Sequence, residues 1–182
     1  DANSAYTLDD IDFFKRIDKF NLLMIEQPLA HDDIIDHRKL QAAVNTPICL
    51  DESIASVEDA RKAIELGSAK IINIKVARVG GITETKLIHD YCQAHNIPVW
   101  CGGMLDTAVG KAHNIAVSTL PNFIYAHDIP PSSRYWHEDF MLPFVELDKD
   151  SCVAVPNKPG IGFDINPELY EKYCYGQETF LF

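Results

Sequence analysis

Short apolar runs rich in β-branched residues recur along the chain: Leu22 to Ile25, Ile48 to Leu50, Ile71 to Ile74, Val99 to Cys101 and Phe123 to Tyr125. Their ends fall near residues 26, 51, 75, 101 and 126, so each predicted strand follows the last at a nearly constant interval. The stretches between them carry helical spacing and helix-start chemistry. Thr7 followed by Asp10, and Ser56 followed by Asp59, place a hydroxyl where it can cap a first turn. Gly67, just past the periodic stretch 57 to 66, predicts the left-handed residue that stops that helix, and Pro28, Pro47 and Pro98 mark strand boundaries.

Strand then helix, repeated with buried strands, predicts an α/β fold with a parallel sheet and helices outside it, and the constant period favours a closed barrel over an open doubly wound sheet. A full barrel takes about 250 residues, whereas the repeat here covers about five units before stopping near Asp128. The chain also opens without methionine, at what reads as a strand end. These features predict the C-terminal part of a TIM-like barrel whose first strands lie upstream. Residues 1–130 are expected to form the partial barrel and residues 131–182 a tail that wraps back over it or onto an absent domain. In that tail the alternation from Ser151 to Val155, a Pro159-Gly160-Ile161-Gly162 turn and a short helix near Pro167 to Tyr173 are predicted. Missing strands would leave unpaired edges, so this piece alone is not expected to be a stable monomer.

Asp1, Glu26, Asp51 and Lys75 stand at the ends of consecutive strand units, 25, 25 and 24 residues apart. Neighbouring parallel strands lie about 4.8 Å apart, so acids at one height on adjacent strands can converge on one cation. Three hard oxygen ligands without cysteine or histidine suit Mg²⁺, with Mn²⁺ as a substitute ion. Barrel active sites also lie at this end of the strands. A single acid after a strand is often no more than a helix cap. Glu26 and Asp51, however, directly end apolar strands in Met-Ile-Glu-Gln-Pro and Cys-Leu-Asp-Glu-Ser, ahead of the next helix's own cap.

Composition narrows the class. With 182 residues, 47% hydrophobic and 24% charged, the chain reads as globular and can bury one sizeable core without staples. Its formal net charge of -11 and lack of a basic cluster exclude a nucleic-acid footprint. No apolar stretch approaches a membrane span. Five cysteines without a CxxC pair predict reduced core residues and a cytoplasmic setting. His31, His89, His95, His113, His127 and His137 show no ligand spacing and read as surface or packing residues. The double-glycine runs fit no nucleotide-binding pattern.

The runs Asp1-Ala2-Asn3, Ile25-Glu26-Gln27-Pro28, Leu50-Asp51-Glu52-Ser53, Lys75-Val76-Ala77-Arg78-Val79-Gly80-Gly81 and Gly102-Gly103-Met104 resemble, in order and spacing, the third to seventh strand ends of the enolase superfamily's muconate-lactonising subgroup. Lys75 followed by Arg78, with Trp100-Cys101-Gly102-Gly103-Met104, is most similar to the branch of o-succinylbenzoate synthases and N-acylamino acid racemases. The resemblance implies the (β/α)7β barrel from the end of strand 3 to strand 8, without the N-terminal capping domain and the first barrel strands. It implies Mg²⁺ on Asp1, Glu26 and Asp51, Lys75 as a catalytic residue, a small-molecule carboxylate substrate and a homo-oligomer when full length.

The chemistry implied is removal of a proton α to a carboxylate, giving an enediolate whose charge a cation offsets. A lysine serves as base where positive neighbours favour its neutral form, and Arg78 and the cation are the positive charges expected beside Lys75. Racemisation needs bases on both faces, so the resemblance gives Lys75 one face and a Lys-x-Lys motif on the second strand, absent here, the other. In dehydration to o-succinylbenzoate, a step of menaquinone synthesis, that other lysine does the proton work and Lys75 steadies the enolate. Asn3 and Glu52 are expected to orient Asp1 or a metal-bound water. Gly102 and Gly103 are expected to leave room for substrate, and Met104 to form an apolar wall. Dipeptide epimerase and muconate cycloisomerase share these ligands. A silent structural fragment is the reading from another class.

Overall fold

The computed structural model describes residues 1–180, which divide into two units: residues 1–102 with 117–128, and residues 103–116 with those from 129 onward. The sequence reading placed one boundary near residue 130; residues 103–116 group instead with the C-terminal segment.

In the first unit a parallel sheet of four strands runs in sequence order: β1 (Ile25–Glu26), β2 (Ile48–Leu50), β3 (Ile71–Ile74) and β4 (Val99–Cys101). Parallel strands need crossovers, and helices supply them: α2 (Ile34–Ala43), α3 (Val57–Leu66) and α4 (Ile82–Ala94), preceded by α1 (Ile11–Ile17). Every residue of β2 and β3 is buried, as expected of strands covered on both faces. The apolar run at Leu22 to Ile25 is longer than its strand, since Leu22 and Leu23 are exposed and only Ile25 is buried. Beyond β4, the run at Phe123 to Tyr125 contributes a single parallel bridge, Phe123 to Val99. His89 of α4 secures that edge: its Nε2 accepts the Asn122 N–H at 3.2 Å, and its ring stacks on Phe123. On the opposite edge, the amides of Ala2, Ser4 and Tyr6 donate to the carbonyls of Glu26, Gln27 and Pro28, which lays the chain start along β1.

Local chemistry fixes the helix limits. Ser56 Oγ accepts the Asp59 N–H at 3.2 Å and donates to Asp59 Oδ2 at 2.8 Å, starting α3 at Val57, and Gly67 at φ +74° ends it. At Thr7 the Asp10 carboxylate accepts the Thr7 N–H at 2.9 Å, closing a capping box before a short 3-10 turn, Leu8–Asp10, that leads into α1. Asp18, just after α1, accepts the amides of Asn45 and Thr46 ahead of β2, which pulls its pKa well below the usual carboxylate range.

The second unit holds α5 (Ala108–Val117) up to Ala116, an antiparallel pair β5 (Met141–Leu142) and β6 (Asp164–Ile165), and α6 (Pro167–Tyr173). Ala112, Ile115, Met141 and Val145 form its core. Lys111 is buried there. Its ammonium donates to Ser132 Oγ at 3.1 Å, that hydroxyl donates to Asp139 Oδ2 at 2.8 Å, and burial lowers the Lys111 pKa against the pull of Asp139. The alternation from Ser151 to Val155 forms no strand; the pairing falls at 141–142 and 164–165, where Met141 and Ile165 carry apolar side chains into the core cluster. Of the five cysteines, Cys49, Cys92 and Cys101 are buried as expected, while Cys152 is exposed and Cys174 half-buried, so these two are not core residues. No helix among the described residues is long and apolar enough to cross a membrane.

Candidate active site

The parallel strands of the first unit deliver their polar residues at their carboxyl ends. Glu26 closes β1, Asp51 follows β2 and Lys75 follows β3. Glu26 and Asp51 are both buried, at 8% and 2% exposure. Burial is the main cause raising the Glu26 pKa; the Asp51 charge adds to it, while a hydrogen bond from Asn73 and the Lys75 charge oppose it. Asp51 is compensated directly: Lys75 Nζ donates to its Oδ2 at 2.8 Å, and Arg78 Nη1 donates to its Oδ1.

The turn after β3 makes the double cationic contact possible. Val79 N–H donates to the Lys75 carbonyl and Gly81 N–H to the Val76 carbonyl, folding residues 75–81 so that Lys75 and Arg78 reach the same carboxylate. Gly80 and Gly81 carry φ of +87° and +117°, a region only glycine enters without strain, so the Gly-Gly pair is a requirement of this turn.

Gln27, to which the sequence reading gave no role, joins the first two strand ends. It is fully buried; its Oε1 accepts from Asp51 N at 2.9 Å and Ser53 N at 3.3 Å, and its Nε2 donates to Ser53 Oγ at 2.8 Å and the Leu29 carbonyl at 3.3 Å. His37, missing from the histidines weighed in sequence, supports the same loop: Leu29 N–H donates to its Nε2 at 3.2 Å, and its Nδ1 donates to the Asp33 carbonyl. That pattern requires a neutral ring, consistent with burial lowering its pKa. Asn73 on β3 donates to Glu26 Oε1 at 2.7 Å and accepts from Gly102 N at 2.7 Å. The available signal for Gln27 and Asn73 was an amide inside or directly after an otherwise apolar strand.

Asp1 stands at the start of the segment laid along β1, with Asn3 donating to both its oxygens, from the backbone at 3.0 Å and from Nδ2 at 2.7 Å. Glu52 has a buried oxygen, Oε2, without a hydrogen-bond partner. Gly102 is buried at the end of β4. Gly103 and Met104 belong to the second unit. There Met104 is exposed, its N–H donates to Asp106 Oδ2, and Asn114 Nδ2 and Trp136 Nε1 brace Asp106.

As placed, no three Asp, Glu, His or Cys side chains among the described residues stand close enough together to hold a metal ion. The positive charge on Asp51 is supplied by Lys75 and Arg78 instead. The donor set nevertheless suits a hard cation. Glu26 and Asp51 are two buried carboxylates on adjacent strands, the Asp51 charge adds to the cost of ionising Glu26, and the half-buried Glu52, next in sequence to Asp51, brings one further buried oxygen without a hydrogen-bond partner.

Comparison with known proteins places the chain in a family. The model of the family described as "Enolase C-terminal domain-like" matches residues 1–169. An o-succinylbenzoate synthase of Geobacillus stearothermophilus is 55% identical over 180 residues, covering 99% of this chain and 48% of the relative. An N-succinylamino acid racemase of an Amycolatopsis species is 48% identical over 172 residues, covering 94% of this chain and 46% of the relative. A solved enolase-superfamily structure from Listeria innocua superposes with a TM-score of 0.90 at 44% identity, over 94% of this chain and 46% of that one. The chain thus spans about half the length of the relatives it matches. It belongs to the enolase superfamily and corresponds to the C-terminal, barrel-forming part of that fold.

Proposed function

We propose that this chain contributes the metal-binding and one proton-handling face of an enzyme that abstracts a proton α to a carboxylate, with o-succinylbenzoate synthesis as its main activity and racemisation of N-succinylamino acids as a second. The observation that carries the reading is the convergence of Lys75 and Arg78 on the buried Asp51 carboxylate at the carboxyl end of the sheet. The identities of about 50% to proteins named for these two activities support the choice of substrate class.

Asp1, Glu26 and Asp51 would hold a divalent cation, Mg²⁺ first. When bound, that ion supplies positive charge at the substrate carboxylate, the kind of preorganised electrostatics that usually contributes the largest catalytic effect. The chain's own groups do the rest. In racemisation Lys75 Nζ would carry the proton on one face of the planar enediolate, and in dehydration it would steady the enolate; Arg78 shares Asp51 with it, so the acid stays compensated when the lysine changes partner. Gln27 holds the Asp51 backbone in place through the exchange. Half-buried side chains on Lys75 and Arg78 leave both groups reachable from solvent while their acid is not.

Racemisation requires a second base, and dehydration a lysine that removes the proton and then assists the departing hydroxyl from the same face; neither is assigned to a residue of this chain, and in this proposal both come from the rest of the barrel. The test compares the complete protein in two assays, formation of o-succinylbenzoate and loss of optical rotation of an N-succinylamino acid. Both activities support the proposal. A protein that epimerises dipeptides and does neither reaction would replace it.

A further inference from the structure

Asn73 lies within β3, flanked by Ile72 and Ile74, and is 1% exposed. A primary amide so deeply buried is costly unless its donors and acceptor are used. Its two ends go to two strands that are not neighbours. Nδ2 donates to Glu26 Oε1 at the end of β1, and Oδ1 accepts the N–H of Gly102 directly after β4, each at 2.7 Å. Only one orientation of the amide satisfies both, because Gly102 offers a hydrogen and Glu26 an oxygen.

Gly102 gives a second, independent observation. A Cβ built there would lie 2.4 Å from Asn73 Oδ1 and 2.5 Å from Nδ2, closer than real Cβ contacts come. Its backbone is not in the left-handed region, so conformational freedom is not what demands glycine here. The missing side chain makes room for the Asn73 amide.

We infer that Asn73 is a positioning residue that fixes the Glu26 carboxylate for a divalent cation, and that Gly102 is glycine in order to seat that amide. The inference rests on reading Glu26 as a metal ligand. One Glu26 oxygen is tied by the amide, which sets the rotation of the carboxylate and the direction in which the other oxygen points. The end of β4 and the β1 ligand therefore share one hinge point on β3.

The test is calorimetric titration of the metal-free complete protein with Mn²⁺ and Mg²⁺, alongside thermal melts without metal. Asn73→Asp keeps the shape and the acceptor for Gly102 but sets an oxygen against Glu26; it should weaken ion binding about 10- to 100-fold, the usual effect of removing a partner that orients a ligand. Gly102→Ala should lower the melting temperature of the metal-free protein, and Asn73→Ala/Gly102→Ala should recover most of that loss without recovering ion affinity. A folded N73D protein with wild-type affinity would overturn the inference, as would a G102A protein as stable as wild type. A wild-type protein that binds no divalent ion would instead overturn the metal reading beneath it.

Discussion

Replacing Gln27 by leucine probes the junction on which Asp51 depends. The two side chains are of similar size and the backbone at φ +36° is equally awkward for both, so the change isolates the hydrogen bonds. It removes the acceptor for Asp51 N and Ser53 N and the donor to Ser53 Oγ and the Leu29 carbonyl. Asp51 N is buried and Ser53 N partly so. An unmet buried donor costs about 1 to 3 kcal/mol, and the longer Ser53 contact contributes at the low end. The apolar replacement returns some of this through the amide that no longer needs to leave water. The net destabilisation should be about 2 to 4 kcal/mol. Urea unfolding of the complete protein, followed by the fluorescence of Trp100 and Trp136, reads it as a lower midpoint at unchanged slope. Because Asp51 loses its backbone anchor, turnover should fall as well. A loss under about 0.5 kcal/mol with full activity would show that Gln27 does not hold the strand ends together.

Lys75→Ala should lower α-proton exchange of an N-succinylamino acid by about 10² to 10⁴ while the protein remains folded, since Arg78 still compensates Asp51; unchanged exchange would remove Lys75 from the chemistry. His37 gives a pH signature. Burial lowers its folded pKa below the unfolded value of about 6.5, opposed by its hydrogen bond to the Asp33 carbonyl and the charges of Asp33 and Asp36. The neutral ring's contribution is therefore fully present above about pH 6.5 and declines as pH falls below it, because the unfolded chain takes up the proton first. Chemical denaturation at pH 8 and pH 5.5 should show a larger acid loss for wild type than for His37→Gln; equal losses would exclude His37 as a source.

The parts of the fold legible in sequence were those decided locally. Ser56, Asp59 and Gly67 bound α3 at Val57 and Leu66 because capping and the left-handed stop involve near neighbours in the chain. The strand ends at Leu50 and Ile74 were visible because wholly buried parallel strands read as unbroken apolar runs. Leu22 and Leu23 misled, since an apolar run does not say which of its residues reach the sheet. The pair at 141–142 and 164–165 was hidden by its two-residue strands, too short for any alternation to register. In the site, the succession Glu26, Asp51, Lys75 was readable from spacing. The partners that orient these residues, Gln27, His37 and Asn73, were not. The roles of Gln27 and Asn73 come mainly from hydrogen bonds between groups far apart in sequence, such as Asn73 to Glu26, and that of His37 from a loop between β1 and α2, none of which periodicity encodes. Gly102 shows the same limit: its glycine reads in sequence as space for substrate, while in the fold that space is filled by the Asn73 amide.

The central claim is tested most directly by proton exchange in D₂O. The complete protein is stripped of metal, incubated with an N-succinylamino acid, and the α-proton is followed by NMR before and after Mg²⁺ is restored. We expect no exchange without the ion, exchange once it is returned, and its loss again on chelation. Exchange that proceeds at full rate in the stripped protein, or that never appears with Mg²⁺ present, would contradict a cation-assisted abstraction built on Asp1, Glu26, Asp51 and Lys75.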